Sequence, residues 1–261
     1  MIGVIVHDTY WVFWREMKKL ARQKSRIMMA IVQPVVWLVL MGNTMSGLTN
    51  NPAAAKMLGT GNYLDFMTPG VMIMTALFGG VFGGMSILWD RRLGFLNKML
   101  AAPIYRAAIP VGKLAALVVQ TVFQALLVVL IALLLGVHIS TGILGIGFLL
   151  MMASLFGVIM GGISLSLAAV LKSHEALMAI MNFFTMPLMF TSNAMFPTRA
   201  MPDWLRAIAN VNPLSYAVGP MRTVATQGWV WREIWPGALV LVIIAAATTS
   251  VLVRQFHRSV A

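Results

Sequence analysis

The chain has 261 residues, of which 60% are hydrophobic and 10% are charged, and its mean hydropathy is +0.87. Soluble domains carry about 25% charged residues, so this composition excludes an ordinary water-soluble domain and indicates a protein surrounded by lipid. The net charge of +12 would suggest nucleic-acid binding in a soluble chain, but here the charges form short clusters beside apolar runs.

The first predicted element is an amphipathic helix that precedes the apolar spans. Apolar side chains recur at helical spacing from Tyr10 to Ala21, while Arg15, Lys18 and Lys19 lie on the opposite arc. Helices with aromatic and basic residues arranged in this way lie in the membrane interface. The pattern is compatible with a simple membrane anchor and with a mechanical element on which a cytoplasmic partner acts.

Six apolar stretches have the length of about 20 residues that a helix needs to cross the hydrocarbon core. No linker separates a second domain, so we predict one all-helical membrane domain over residues 1–261. The predicted spans are Ile27–Leu48, Phe66–Leu88, Val111–Val137, Ile143–Leu171, Ala176–Phe196 and Ile234–Val253.

The basic residues predict the orientation of these spans. Five of the 19 Lys and Arg residues fall on one side of the predicted membrane, and the other 14 fall on the opposite side. Because the side that is richer in Lys and Arg remains in the cytoplasm, both termini are predicted to be cytoplasmic. The five residues on the outer side are Lys56, Arg199, Arg206, Arg222 and Arg232.

A charged loop helix is predicted between the second and third spans, within residues 89–103. Asp90 is expected to interact with the free amides at the start of this helix, and Pro103 ends it. The segment is either a solvated connector or a docking element for another protein. Its apolar stripe consists of Leu93, Leu96, Met99 and Leu100.

The segment between the fifth and sixth spans, residues 197–233, is too long and too apolar for a plain connector. Pro202 suits the first turn of one short helix, and a second is predicted from Leu214 to Thr226. Two short apolar helices outside the spans indicate a re-entrant or interfacial hairpin.

Residue patterns for catalysis or for metal binding are missing from the sequence. A phosphate-binding loop requires G-x-x-x-x-G-K-[ST], but Gly112-Lys113 is followed by Leu114. The four histidines are scattered, and the absence of cysteine excludes thiolate metal sites. We therefore expect this chain to have no catalytic, cofactor-binding or metal site.

The spans contain uncharged polar residues and, by this assignment, no embedded ionisable residue, which argues against ion-coupled transport. Hydrogen bonding between helices is the default role of such polar groups, and lining a substrate path is the alternative. The residues expected to border a substrate path are Gln33, Asn43, Thr75, Asn182, Thr185, Met186, Met189 and Phe190.

The loop at residues 89–103, WDRRLGFLNKMLAAP, resembles the cytoplasmic loop of ABC-2 type exporter permeases, most closely those of the drug-resistance and nodulation-factor subgroup. Phe66–Gly70, Pro187–Pro197 and Asn212–Tyr216 agree with that family in order and spacing. One departure is Asn97, where many family members carry an acidic residue.

The resemblance implies a cell-membrane permease that forms a homodimer and binds two copies of a separate ABC ATPase, which holds ATP and Mg²⁺. It implies export of hydrophobic or amphipathic drug-like molecules and no binding of nucleic acid. The alternatives are export of a glycan or lipid-linked saccharide, and a scaffold that transports nothing. The residues expected to couple to the ATPase are Arg15, Lys18, Lys19, Asp90, Arg91, Arg92, Gly94, Phe95, Leu96, Lys98 and Met99.

Overall fold

The computed structural model describes residues 2–49 and 62–259. These two ranges consist of helices, turns and irregular segments and contain no β-strand. A single turn of 3₁₀-helix, Thr198–Ala200, lies between the eighth and ninth α-helices. The α-helices are α1 Ile2–Arg22, α2 Lys24–Thr49, α3 Tyr63–Gly83, α4 Met85–Arg92, α5 Phe95–Ala101, α6 Ala108–Leu134, α7 Gly142–Val170, α8 His174–Phe190, α9 Asp203–Val211, α10 Pro213–Thr226 and α11 Trp231–Ser259.

Four helical stretches in the described ranges are long and apolar enough to cross a membrane. These are Tyr63–Arg92, Ala108–Leu134, Gly142–Val170 and Trp231–Arg258. In α2 the apolar part is the shorter segment Val32–Gly42. The prediction of a helical membrane protein is therefore confirmed, while the six-span topology stays a prediction.

The fifth predicted span is shorter than expected. It was predicted to reach Phe196, but α8 ends at Phe190. The helix continues through Pro187 for less than one turn, and the backbone N–H and the hydroxyl of Thr191 both donate to the Pro187 carbonyl. These bonds satisfy a carbonyl at the end of the helix, and residues 191–196 then form turns.

Helix α7 lies at the centre of the bundle and packs against α3, α6, α10 and α11. Small residues allow these close approaches. A methyl group added to Gly80 of α3 would lie 2.9 Å from the Gly161 nitrogen of α7, and one added to Gly157 would lie 2.8 Å from the Thr121 hydroxyl of α6. The small-residue pairs therefore allow close helix packing, as the sequence predicts.

The outer segment forms two helices near the predicted positions. Asn212 separates α9 from α10, and its side-chain oxygen accepts from the Leu214 amide at 2.8 Å, which is an N-cap interaction. Helix α10 is largely buried and contacts α3, α7 and α11. Its position relative to the bilayer stays a prediction.

The loop helix differs from its prediction. Helix α4 extends through Asp90 to Arg92, and α5 begins only at Phe95, so Asp90 is near the end of one helix and not at the start of the next. The break occurs at Gly94, whose φ of +70° is readily adopted only by glycine. Leu93, predicted to lie on the apolar stripe, is 71% exposed.

Candidate functional site

Five charged side chains meet where α1 crosses the end of α4 and the first turns of α6. Glu16 comes from α1, Asp90 from α4 and Lys113 from α6, and the two other members, Arg15 and Lys19, also come from α1. The side chains of Asp90 and Lys113 are 2% and 1% exposed. We call this group the ion cluster.

Asp90 is the central acceptor of the ion cluster. The Arg15 guanidinium donates to both of its oxygens, at 2.8 and 3.0 Å, and the Lys113 ammonium donates to Oδ2 at 2.5 Å. Lys113 also donates to Glu16 at 2.8 Å. Bidentate arginine–carboxylate pairs fix geometry as well as adding energy, so the cluster sets the position of α1 relative to α4 and α6.

Two further contacts hold α1 against α6 and the segment before it. A methyl group added to Gly112 would lie 2.8 Å from Val12 Cβ, so the two helices touch closely there. The Asp8 carboxylate accepts from the Tyr105 amide at 2.9 Å. The predicted interfacial helix is therefore a packed part of the bundle.

Arg15 also contacts the loop helix α5. Its guanidinium lies 4.0 Å from the centroid of the Phe95 ring and donates to the Met99 sulfur at 3.8 Å. Partial burial alone would lower the pKa of Arg15, but its hydrogen bonds to Asp90 raise that pKa above the usual value. A permanently charged Arg15 thus joins α1, α4 and α5.

The hairpin formed by α4 and α5 has one buried and one exposed face. Leu96 and Met99 are buried, whereas Leu93 and Phe95 are 71% and 40% exposed. The other exposed residues of this segment are Trp89, Arg92, Asn97, Lys98 and Ala101. Lys18 of α1 is also exposed and lies over the Trp14 ring.

Arg91 has a structural contact within the bundle. Its guanidinium donates to the carbonyls of Leu171 and Ala169, at 2.7 and 2.8 Å, at the C-terminal end of α7. A cation at this end satisfies free carbonyls and complements the helix dipole. Of the predicted coupling residues, Arg91 therefore anchors α4 to α7.

The sequence prediction omitted two members of the ion cluster, Glu16 and Lys113. Lys113 was counted only among the charges beside the membrane, yet it is a buried residue of α6, so the prediction that no ionisable residue is embedded was wrong. The available signal was its place inside the predicted third span. A lysine in such a place requires a carboxylate partner.

A cavity of about 580 Å³ lies beside the ion cluster, between α1, α2, α3, α4 and α6. Gln33 and Thr75, two of the residues predicted to border a substrate path, line it together with Gln120 and Gln124. We call it the α3–α6 cavity. The ion cluster residues Glu16, Lys19 and Lys113 lie at its other end.

The remaining predicted path residues are elsewhere. On α8, Thr185 is buried and Met189 is half-buried, whereas Asn182, Met186 and Phe190 are exposed. Asn43 belongs to α2, but its side chain lies outside the described residues.

The chain is similar in sequence to a transporter family and to several named permeases. A model of the ABC-2 type transporter family matches residues 7–225. A putative transport permease ycf38 of Porphyra purpurea is 32% identical over 81% of this chain and 72% of its own length. The daunorubicin resistance ABC transporter permease protein DrrB1 of Streptomyces coeruleorubidus is 26% identical over 97% of this chain and 87% of its own length. The probable multidrug ABC transporter permease YbhR of Escherichia coli is 26% identical over 74% of this chain and 50% of its own.

Proposed function

The chain belongs to the ABC-2 type transporter family, and on that premise we propose that it is the permease subunit of an ATP-driven exporter of hydrophobic or amphipathic small molecules. The energy would come from a separate ABC ATPase, since this sequence has no phosphate-binding loop. The cargo would be taken from the cytoplasm or the inner leaflet.

The ion cluster is the observation that carries this proposal. It ties α1 and the α4–α5 hairpin to α6, one of the long apolar helices, through a buried bidentate pair and a buried lysine. A force applied to the exposed face of the hairpin would therefore reach the spans without being absorbed by a flexible loop. We propose that Leu93, Phe95 and Lys98, which are exposed on the hairpin, contact the ATPase.

Two further observations support a drug-like cargo. Relatives of this chain are named for resistance to daunorubicin and for multidrug transport. The α3–α6 cavity combines the aromatic walls of Phe78 and Phe82 with amide side chains. Largely apolar walls with a few polar groups are typical of sites for small organic ligands.

We further propose the assembly. Two copies of the chain form a homodimer with six spans each, both termini lie in the cytoplasm, and each copy binds one ATPase subunit. The exposed apolar residues Phe183, Phe184 and Met186 on α8 face lipid or the second copy.

The test is to reconstitute the chain with its ABC ATPase in liposomes and to measure ATP-dependent accumulation of fluorescent amphiphiles, with acidic, neutral and basic compounds in the panel. We expect uptake into inverted vesicles, with ATPase activity that responds to the same compounds. An ATPase variant lacking its phosphate-loop lysine is the control.

If the intact complex moved no compound of a broad panel, the drug-export proposal would fail. Transport of a lipid-linked saccharide in its place would identify the alternative cargo. If the purified chain bound no ATP-binding subunit, the scaffold alternative would stand.

A further inference from the structure

The α3–α6 cavity is elongated, with a charged end and an amide end. On α6 the lining extends from Lys113 to Gln124, a distance of about 16 Å at 1.5 Å per helical residue. Its volume of about 580 Å³ falls in the range of cavities that hold one drug-sized molecule. The shape and volume of the cavity therefore suit one elongated molecule.

The charged end offers a cation. The carboxylates of Asp90 and Glu16 are 2% and 10% exposed, whereas the side chains of Lys19 and Arg15 are 34% and 29% exposed. Glu16 also lines the cavity, but it is less exposed than Lys19, and the cluster has three cations against two carboxylates, so its net charge is positive. This arrangement favours an anionic group at the mouth of the cavity.

Lys19 is the cation with the loosest contacts in the cluster. Its ammonium lies 3.5 Å from Asp90 Oδ1 and 3.8 Å from Glu16 Oε2. Both distances exceed the 2.7–3.2 Å of an N–H···O hydrogen bond. Because Asp90 already accepts from Arg15 and Lys113, Lys19 can turn to an anion in the cavity without leaving a buried carboxylate unpaired.

The amide end offers an acceptor that has no donor. Gln124 is 8% exposed, and its Oε1 atom has no hydrogen-bond partner among the described residues. A buried carbonyl oxygen without a partner carries a free-energy penalty. Gln124 lines the cavity, and rotation of its buried amide toward the cavity would let a hydroxyl or N–H group of a ligand donate to Oε1 and remove that penalty. The apolar walls between the two ends, Phe78, Phe82 and Leu117, suit a hydrocarbon body.

We propose that the α3–α6 cavity binds one acidic amphiphile, with its anionic head at Lys19 and a hydrogen-bond donor on its apolar body at Gln124. The ligand enters from the inner leaflet, beside α1. Its role as cargo rests on the proposed function, whereas binding is a property of this chain alone. Because Lys19 also faces Asp90, an occupied cavity would alter the cluster that holds the α4–α5 hairpin.

The experiment is saturation binding of tritiated 12-hydroxydodecanoate to the full chain in nanodiscs of zwitterionic lipid, with empty nanodiscs subtracted. Dodecanoate and dodecyltrimethylammonium serve as competitors. We expect dodecanoate to compete about 3- to 10-fold more weakly than the hydroxy acid, as one neutral hydrogen bond predicts, and the cation not to compete.

Two substitutions separate the two ends. Lys19→Gln should raise the Kd about 5-fold or more, and Lys19→Arg should restore it. Lys18→Gln is the matched control, one residue away on α1 but outside the cavity lining, and should change the Kd less than about 2-fold. Gln124→Leu should abolish only the preference for the hydroxy acid over dodecanoate.

Binding that is not saturable would overturn the inference, as would equal affinities in the wild type, Lys19→Gln and Gln124→Leu chains. Tighter binding of the cation would overturn it as well. Monodisperse elution and an unchanged melting temperature establish that each variant is folded. The ATPase is absent from the assay, so a failure of ATP-driven export would leave this result unaffected.

Discussion

Asp90 is the central residue of the ion cluster. It is 1% exposed and receives hydrogen bonds from Arg15 and Lys113, which belong to helices 75 and 23 residues away in sequence. Removing one partner of a buried charge pair is strongly destabilising, because the remaining charge stays buried without compensation. For Lys113, 1% exposed, Glu16 would be the one remaining carboxylate among its described partners.

Asp90→Asn is therefore expected to destabilise the protein by about 3 kcal/mol or more. The asparagine side chain is nearly the same size, so the loss reports charge and not packing. Two quantities are measured: the midpoint of thermal unfolding in detergent, and the stimulation of ATPase activity by transported compounds in the reconstituted complex. We expect a lowered midpoint and loss of stimulation.

Asp203→Asn is the matched control. Asp203 also pairs with an arginine, Arg206, at 3.1 Å, but its side chain is 96% exposed. Exposed pairs of this kind contribute little to stability, so the midpoint should stay unchanged. Equal melting temperatures for the two variants would show that the buried ion cluster contributes no more to stability than the exposed pair does.

Part of this cluster follows from the sequence. Arg15, Lys19 and Asp90 were predicted as coupling residues, because the resemblance to ABC-2 type permeases implies that the first helix and the loop helix contact an ATPase. Glu16 and Lys113 were not, since their pairing joins residues 97 positions apart. Sequence periodicity describes each helix separately and contains no information on which helices cross.

At the scale of elements, the α4–α5 hairpin separates residues that the sequence placed on one stripe. Leu93 and Leu96 are three positions apart and would share the face of a continuous helix. The positive φ of Gly94 interrupts the helix between them, so Leu96 is 2% exposed and Leu93 is 71% exposed. The two leucines therefore report different properties.

Leu93→Ala and Leu96→Ala form a matched pair. Leu96→Ala should destabilise the protein by about 2–4 kcal/mol, because a cavity remains in the packed face. Leu93→Ala should leave the unfolding midpoint unchanged and weaken binding of the ATPase by about 5-fold or more, as truncation of an interface hot spot does. Unfolding curves and quantitative co-purification measure the two effects.

Two results together would contradict a docking role for the hairpin. They are ATPase binding by Leu93→Ala as tight as that of the wild type, and equally undiminished binding by Leu93→Lys. A large loss of stability in Leu93→Ala would contradict the assignment of its side chain to the exposed face.

The lengths of the elements were predicted with uneven success. The limits of α6 and α7 lie within a few residues of the predicted spans, because both are continuous apolar runs with glycine turns at φ +87° and +62° between them. The end of α8 was misplaced by six residues, since apolar composition continues beyond Phe190 while the hydrogen bonding does not. Composition describes the environment of a segment and not its backbone.

At the scale of the whole molecule, the charges and the cavity distinguish the two ends of the helical bundle. The ion cluster, the exposed face of the hairpin and the charged end of the α3–α6 cavity lie on the side to which the predicted six-span topology assigns 14 of the 19 basic residues. The turn between α6 and α7 lies at the opposite end, where Ser140 and Thr141 donate to carbonyls of α10. By the positive-inside rule, the end that is richer in Lys and Arg is predicted to face the cytoplasm.

The natural sequence has no cysteine, so single-cysteine variants test that orientation without a modified background. Lys172→Cys, in the turn between α7 and α8, and Gln227→Cys, after α10, both replace exposed residues. In intact cells a membrane-impermeant maleimide should label Gln227→Cys and should reach Lys172→Cys only after permeabilisation, because the six-span arrangement places the fifth span, α8, between these two residues. Glu175→Cys, three residues from Lys172 and also exposed, should behave as Lys172→Cys does, which controls for local reactivity. The reverse labelling pattern would invert the molecule, and the hairpin would then face away from any cytoplasmic ATPase. Labelling of all three variants in intact cells would put residues 172, 175 and 227 on one side of the membrane, which requires an even number of spans between them and would contradict the six-span arrangement.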